Sequence, residues 1–120
     1  MGYEAAAPGD VGSVIGGDKG GMWFLREPLD TDSLGFTVLE LEPDRSGKAH
    51  DHGEDGHEEI YYVTEGRVEV DVGADTLTLD EHEALRIDPE ERRQIHNRGD
   101  DTARLVLVSA PTDEGAASTP

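Results

Sequence analysis

Glu58-Glu59-Ile60-Tyr61-Tyr62-Val63-Thr64-Glu65-Gly66, followed at once by Arg67-Val68-Glu69-Val70-Asp71-Val72, decides the fold. Successive side chains of an extended strand point to opposite faces. The second half therefore puts Val68, Val70 and Val72 on one face and Arg67, Glu69 and Asp71 on the other, the pattern of a half-buried strand. In the first half, Glu59 to Thr64 reads as a strand on which Tyr61 and Val63 share the face of Glu59. A carboxylate thus points the same way as the residues that build a core.

The same texture extends outward in both directions. Downstream, Thr76 to Leu79 resumes the alternation after a Gly73-Ala74-Asp75 turn, and Ala84 to Ile87, Arg93 to Asn97 and Arg104 to Ser109 follow. Upstream, Met22 to Arg26, Phe36 to Leu41 and Lys48 to His52 are predicted strands, with one helical turn predicted over Asp30 to Leu34. No segment sustains a helical period. Many short strands with frequent turn residues make an all-β domain, a sandwich or a barrel. Residues 1–21 are rich in Gly and Ala and read as a flexible segment holding one candidate strand, Val11 to Ile15. Residues 112–120 read as a disordered tail, which leaves 22–111 as a single barrel domain.

Composition narrows the partners. The 120 residues carry 28 acidic against 10 basic side chains, a net charge of −18. Nucleic acid and anionic membrane surfaces both need clustered cations and are not expected partners. Lysine occurs only at Lys19 and Lys48, against eight arginines. An evenly acidic, Lys-poor chain fits a salt-rich cytoplasm, where a Debye length of ~3 Å at ~1 M salt screens the self-repulsion. A halophilic, archaeal source is the expectation. No Cys is present, so thiolate sites and disulfides are out. Neither a signal peptide nor an apolar run of membrane-spanning length is seen, and a cytoplasmic location is expected.

The chemistry concentrates in Gly47-Lys48-Ala49-His50-Asp51-His52-Gly53-Glu54-Asp55-Gly56-His57-Glu58-Glu59. On a strand His50 and His52 share a face, and after the Gly-Glu-Asp-Gly loop so do His57 and Glu59. If both faces look inward, up to three imidazoles and one carboxylate converge. Such donors suit Mn, Fe, Co, Ni, Cu or Zn better than Mg or Ca. His82 lies in an acidic turn and is expected in solvent. His96 alternates with Arg93 and Ile95, so it is expected to face outward, also at the surface.

Here the sequence resembles the cupin superfamily over roughly residues 35–110. The first cupin motif pairs Gly and His-x-His with a later Glu, six residues and Gly. It is matched by His50, His52, Glu59 and Gly66, although Gly47 stands only three positions before His50 and the His52–Glu59 loop is long. The second motif resembles Ala84 to Asn97. Anchored on Pro89, Ile95 and Asn97, it puts Arg93 where the family carries its fourth metal ligand, a His. A guanidinium cannot ligate a metal.

The resemblance implies an antiparallel jelly-roll β-barrel of roughly six to eight strands. It also implies a divalent transition metal on His50, His52 and Glu59, with His57 in support, and a homodimer formed through an exchanged or abutting strand within residues 11–30. Arg93 and Tyr61 are the expected contacts to a small organic, anionic ligand. Two functions stay open at this point: a metal-dependent dioxygenase or isomerase, and a non-catalytic ligand-binding or sensor barrel, metal-free with Arg93 paired to Glu59.

Overall fold

The computed structural model describes residues 2–112, so the tail expected to be disordered lies, from residue 113 on, outside the described residues. After a 3-10 turn at Pro8–Asp10, nine strands and one helical turn follow in the order β1 (Gly20–Phe24), α1 (Arg26–Leu29), β2 (Gly35–Leu41), β3 (Arg45–Ser46), β4 (His57–Glu65), β5 (Val68–Val72), β6 (Asp75–Leu79), β7 (Ala84–Ile87), β8 (Arg93–Asn97) and β9 (Ala103–Pro111). They form a five-stranded sheet ordered β1-β2-β9-β4-β7 and a four-stranded sheet ordered β3-β8-β5-β6. Every pairing is antiparallel. The all-β jelly-roll architecture is as the sequence predicts, with one strand more than the expected range.

Alternation does what the sequence says. Glu59, Tyr61 and Val63 of β4 are buried while Ile60 and Tyr62 are exposed. On β5, Val68 and Val70 are wholly buried. These join Leu39 and Leu41 of β2, Ile87 of β7, Ile95 of β8 and Leu105 of β9 in one core between the sheets. Burial of such aliphatic side chains contributes about 1.5–3 kcal/mol each. Between β4 and β5 the chain reverses at Gly66, whose φ of 82° strains any L side chain and whose closeness to Thr102 O and Ala103 Cα would crowd a Cβ.

Four sequence expectations need correction. Val11 to Ile15 forms no strand: Val14 donates one bond to Met22 O, but the Met22 N–H goes to Ser13 Oγ, so no ladder propagates. The helical turn falls at Arg26–Leu29 rather than Asp30–Leu34. Pro28 is tolerated there because first-turn N–H groups have no intrahelical partner, and Asp30, at φ 56°, closes the turn. Lys48 to His52 is not a regular strand either. It makes a single bridge, His50 to Arg93, before His52 N donates to Pro89 O. Pro89 has no N–H to return, so the ladder stops.

His96, expected at the surface, is buried at 8% exposure. Its ring does point away from the core, but Ser46 Oγ at 2.6 Å from Nδ1 and Asp71 Oδ2 at 2.9 Å from Nε2 close over it. His82, by contrast, is exposed as expected, beside the Tyr62 hydroxyl.

Asn97 ends β8 and ties three segments together. Its Nδ2 donates to Leu41 O and Asp101 O, and its Oδ1 accepts from Gly99 N. Asn97 and Leu41 are each only 1% exposed, so the bond to Leu41 O has no water as a substitute, whereas Gly99 and Asp101 are exposed. Asn97→Ala is expected to lower the unfolding free energy by about 1–3 kcal/mol, since it orphans the buried Leu41 O and an orphaned buried group costs roughly that much. Urea denaturation checks this, and a loss under about 1 kcal/mol contradicts it.

Candidate metal centre

Two elements bring the centre together. β4 presents Glu59 from the five-stranded sheet, fixed opposite Ile87 of β7 and Ser109 of β9. The 47–52 segment runs along β8 of the other sheet, anchored by Gly47 N to Ile95 O and by the reciprocal His50–Arg93 pair. His50 and His52 therefore reach Glu59 across the gap between the sheets, despite the irregular backbone.

One donor atom each from His50, His52 and Glu59 lies within 4.8 Å of the others. His52 Nε2 is 3.4 Å and His50 Nε2 3.9 Å from Glu59 Oε1. A cation bonded at ~2.0–2.2 Å needs donors roughly 3–3.5 Å apart, so His52 and Glu59 already stand at that separation, and His50 must move inward to complete the set. The two imidazoles meet edge to face, 5.0 Å between centroids.

The backs of both rings are tied. His50 Nδ1 lies 2.9 Å from Lys48 O, an acceptor, so it carries the proton and leaves the Nε2 lone pair toward Glu59. His52 Nδ1 lies 3.0 Å from Asp55 Oδ2, with the same consequence. A carboxylate or carbonyl behind a ligating imidazole is the support that metal sites use. Partial burial alone would raise the Asp55 carboxyl. The hydrogen bond from His52, the His57 backbone N–H and the nearby imidazoles outweigh it and hold Asp55 below the usual carboxylate range.

His52 Nε2 is buried and has no hydrogen-bond partner among the described residues. Its 3.4 Å approach to Glu59 becomes an ion pair only if the ring is doubly protonated. A lone pair facing a carboxylate is otherwise a repulsive arrangement, and a shared cation relieves it. The residues present thus fit a divalent metal.

The remaining predicted site residues take different places. His57 is half-buried on the face of Glu59, its ring stacked 6.4 Å from that of His52, and it is not one of the three converging donors. Tyr61 is buried beside Glu59. Burial first, then the charge of Glu59, pushes its phenol well above the ordinary range, so it is a neutral hydrogen-bond donor at any physiological pH. Arg93, expected to meet an anionic ligand, has only 1% exposure. Its Nη1 donates to Glu59 Oε1 at 3.2 Å and its Nη2 to Asp88 O at 2.6 Å, which places it behind Glu59 and outside the linings of the cavities that reach His52 and Glu59. The pairing of Arg93 with Glu59 is real. Its cause is the inward face of β8, on which Arg93 alternates with Ile95.

Two cavities meet at His52 and Glu59. One, of about 490 Å³, lies inside the barrel with Tyr61 in its wall. The other, of about 600 Å³, opens beside α1 and β2 and takes in Asp55 and His57. The sequence reading missed Asp55, although its position three residues after His52 was a usable signal, and it missed both cavities, which no motif marks.

The Cupin domain family matches residues 37–109, the span that holds the whole centre. The chain belongs to the cupin family. A curated relative, the polyketide synthase CurC of Streptomyces cyaneus, is 41% identical over 54 residues, which are 45% of this cupin and 35% of that protein. The chain therefore spans about a third of the length of that relative. A solved cupin protein from Bacteroides fragilis superposes with a TM-score of 0.76 at 18% identity, covering 93% of this chain and 86% of the other. A predicted oxalate decarboxylase from Thermotoga maritima gives 0.74 at 20% identity, with 90% and 99% covered. At these identities the likeness is one of fold. Among the described residues no helix is long and apolar enough to cross a membrane.

Proposed function

We propose that this cupin binds a divalent transition metal on His50, His52 and Glu59 and holds a small organic anion in the adjoining barrel cavity. The buried, unpartnered His52 Nε2 aimed at Glu59 carries the reading, because its other ring nitrogen is already committed to Asp55. Three protein donors leave coordination positions open, so the metal when bound supplies Lewis-acid or redox chemistry to a substrate. Dioxygen chemistry and isomerisation are the reaction classes such a His-His-carboxylate site serves. The chain's own contributions are clear. His50 and His52 offer fixed tautomers, Glu59 offers charge, Tyr61 donates a hydrogen bond from the wall, and His57 stands in reserve beside His52.

The Arg93–Glu59 pair favours a second reading, a metal-free ligand-binding or sensor barrel in which the guanidinium substitutes for the cation. Metal analysis after reconstitution with Mn, Fe, Co, Ni, Cu and Zn separates the two. About one metal per chain is expected, and none with any of the six would leave the metal-free reading standing.

Two further features belong to this reading. The −18 charge is taken as adaptation to a salt-rich cytoplasm, and β1, an edge strand of the five-stranded sheet, as the seam of a homodimer. Denaturant unfolding and sedimentation run together from dilute buffer to molar KCl test both. Rising stability and a dimer at high salt are expected. Salt-independent stability sinks the first idea, and a monomer throughout sinks the second.

A further inference from the structure

The barrel cavity is charged opposite to the chain that forms it. Met22, Phe24, Leu39, Leu41, Ile95 and Leu107 make its walls apolar, and its volume of about 490 Å³ is that of a small-molecule site. The charged side chains on its lining are Lys19, Lys48 and Glu59. Glu59 is already paired with Arg93, so two uncompensated cations remain at the rim of a cavity in a protein of net charge −18. These are the only two lysines in the sequence. Neither is in an ion pair among the described residues, whereas Arg67, Arg86, Arg93, Arg98 and Arg104 each are.

The neighbouring cavity, which also reaches His52 and Glu59, has the reverse sign: Glu27, Asp30 and Asp55 stand there against Arg26 alone. An anion approaching the centre is thus repelled from one side and drawn in from the other. The apolar walls decide what carries the anion. A sugar phosphate would leave most of its hydroxyls against Met, Leu, Ile and Phe with nothing to bond, and each orphaned hydroxyl weakens binding. An alkyl or aryl body loses nothing there.

We propose that the barrel cavity takes a small carboxylate with an apolar body, and that Lys19 and Lys48 receive its charge on entry. This deepens the function given above and rests on it. Arg93, buried behind Glu59, takes no part in holding the ligand.

The test is calorimetry on the full-length protein reconstituted with Mn. The probes are 3-phenylpropanoate and hexanoate, the primary amide of each, and ribose 5-phosphate. The variants are Lys19→Gln, Lys48→Gln, their double, and Arg92→Gln, an exposed arginine that lines neither cavity. In the wild type each acid is expected to bind about tenfold more tightly than its amide. Exposed charge pairs are individually weak, so each single substitution should narrow that gap about two- to fourfold. The double should close it, and Arg92→Gln should keep it.

The proposal is overturned by no binding of either acid, by equal binding of acid and amide in the wild type, by an intact gap in the double variant, or by tighter binding of ribose 5-phosphate. Metal content measured on the same samples keeps the two ideas apart. A gap in protein that takes up no metal on reconstitution overturns the metal reading and leaves this one standing. A gap missing from fully loaded protein does the opposite.

Discussion

His52→Ala is expected to strip the protein of metal while leaving it folded. The wild type should take up about one Mn or Zn per chain, and the variant's affinity should fall by more than 100-fold, because even a supporting partner of a ligating imidazole is worth about 10–100-fold. Folding should survive because His52 is held by one side-chain bond to Asp55 and by two backbone bonds, to Pro89 O and from Gly56 N, that alanine keeps. Asp55→Asn supplies the graded control. An amide oxygen can still accept from His52 Nδ1 but lacks the charge that steadies the ring, so a loss of about 10–30-fold lies within the range for such partners. His50→Ala should resemble His52→Ala. If metal titration finds the His52 variant within about threefold of the wild type, the centre is not built on these residues.

How far the sequence carried the fold depended on where alternation was undisturbed. Val68, Val70 and Val72 against Glu69 and Asp71 define a strand and its inward face without help, and so do Tyr61 and Val63. At Lys48 to His52 the same rule gave the right side chains and the wrong backbone. His50 and His52 do share a face, yet Pro89 on the neighbouring segment cannot complete a ladder, and nothing local to Lys48–His52 reveals that neighbour. His96 shows the limit differently. Its direction was legible from alternation, but its burial depends on Ser46 and Asp71, 50 and 25 positions away. In the candidate site, motif spacing marked His50, His52 and Glu59, which do converge. It also marked Arg93 as anomalous and offered its pairing with Glu59 as one role, but not the second bond to Asp88 O. The two lysines were noted only as a scarcity. Their meaning came from a cavity built by strands from both ends of the chain.

Arg93→Met is expected to make the metal-free protein less stable and the metal site tighter. Arg93 is the largest fully buried side chain, and its Nη1 neutralises a Glu59 that is itself 9% exposed. Removing one member of a buried ion pair costs about 3–5 kcal/mol, because the other charge is left without compensation. Methionine fills much of the volume, so the loss should be mainly electrostatic. Glu59→Gln should recover part of it in the double variant, with a coupling energy well above the ~0.5 kcal/mol seen for independent sites.

The same guanidinium stands beside the position where His50, His52 and Glu59 would hold a dication, and like charges at about 4 Å repel by roughly 4 kcal/mol per unit pair at an effective dielectric of 20. Without it Glu59 is also free to turn fully to the metal. Affinity should therefore rise by about tenfold or more, equal to ~1.4 kcal/mol or more, and saturating metal should return much of the lost stability through linkage. Denaturant unfolding with and without Mn measures both effects in one series. A variant that is destabilised but gains nothing from metal would show that Arg93 replaces the cation. A variant destabilised without metal and restored by it would show that Arg93 holds Glu59 in readiness, keeping the carboxylate buried, charged and aimed until a metal arrives.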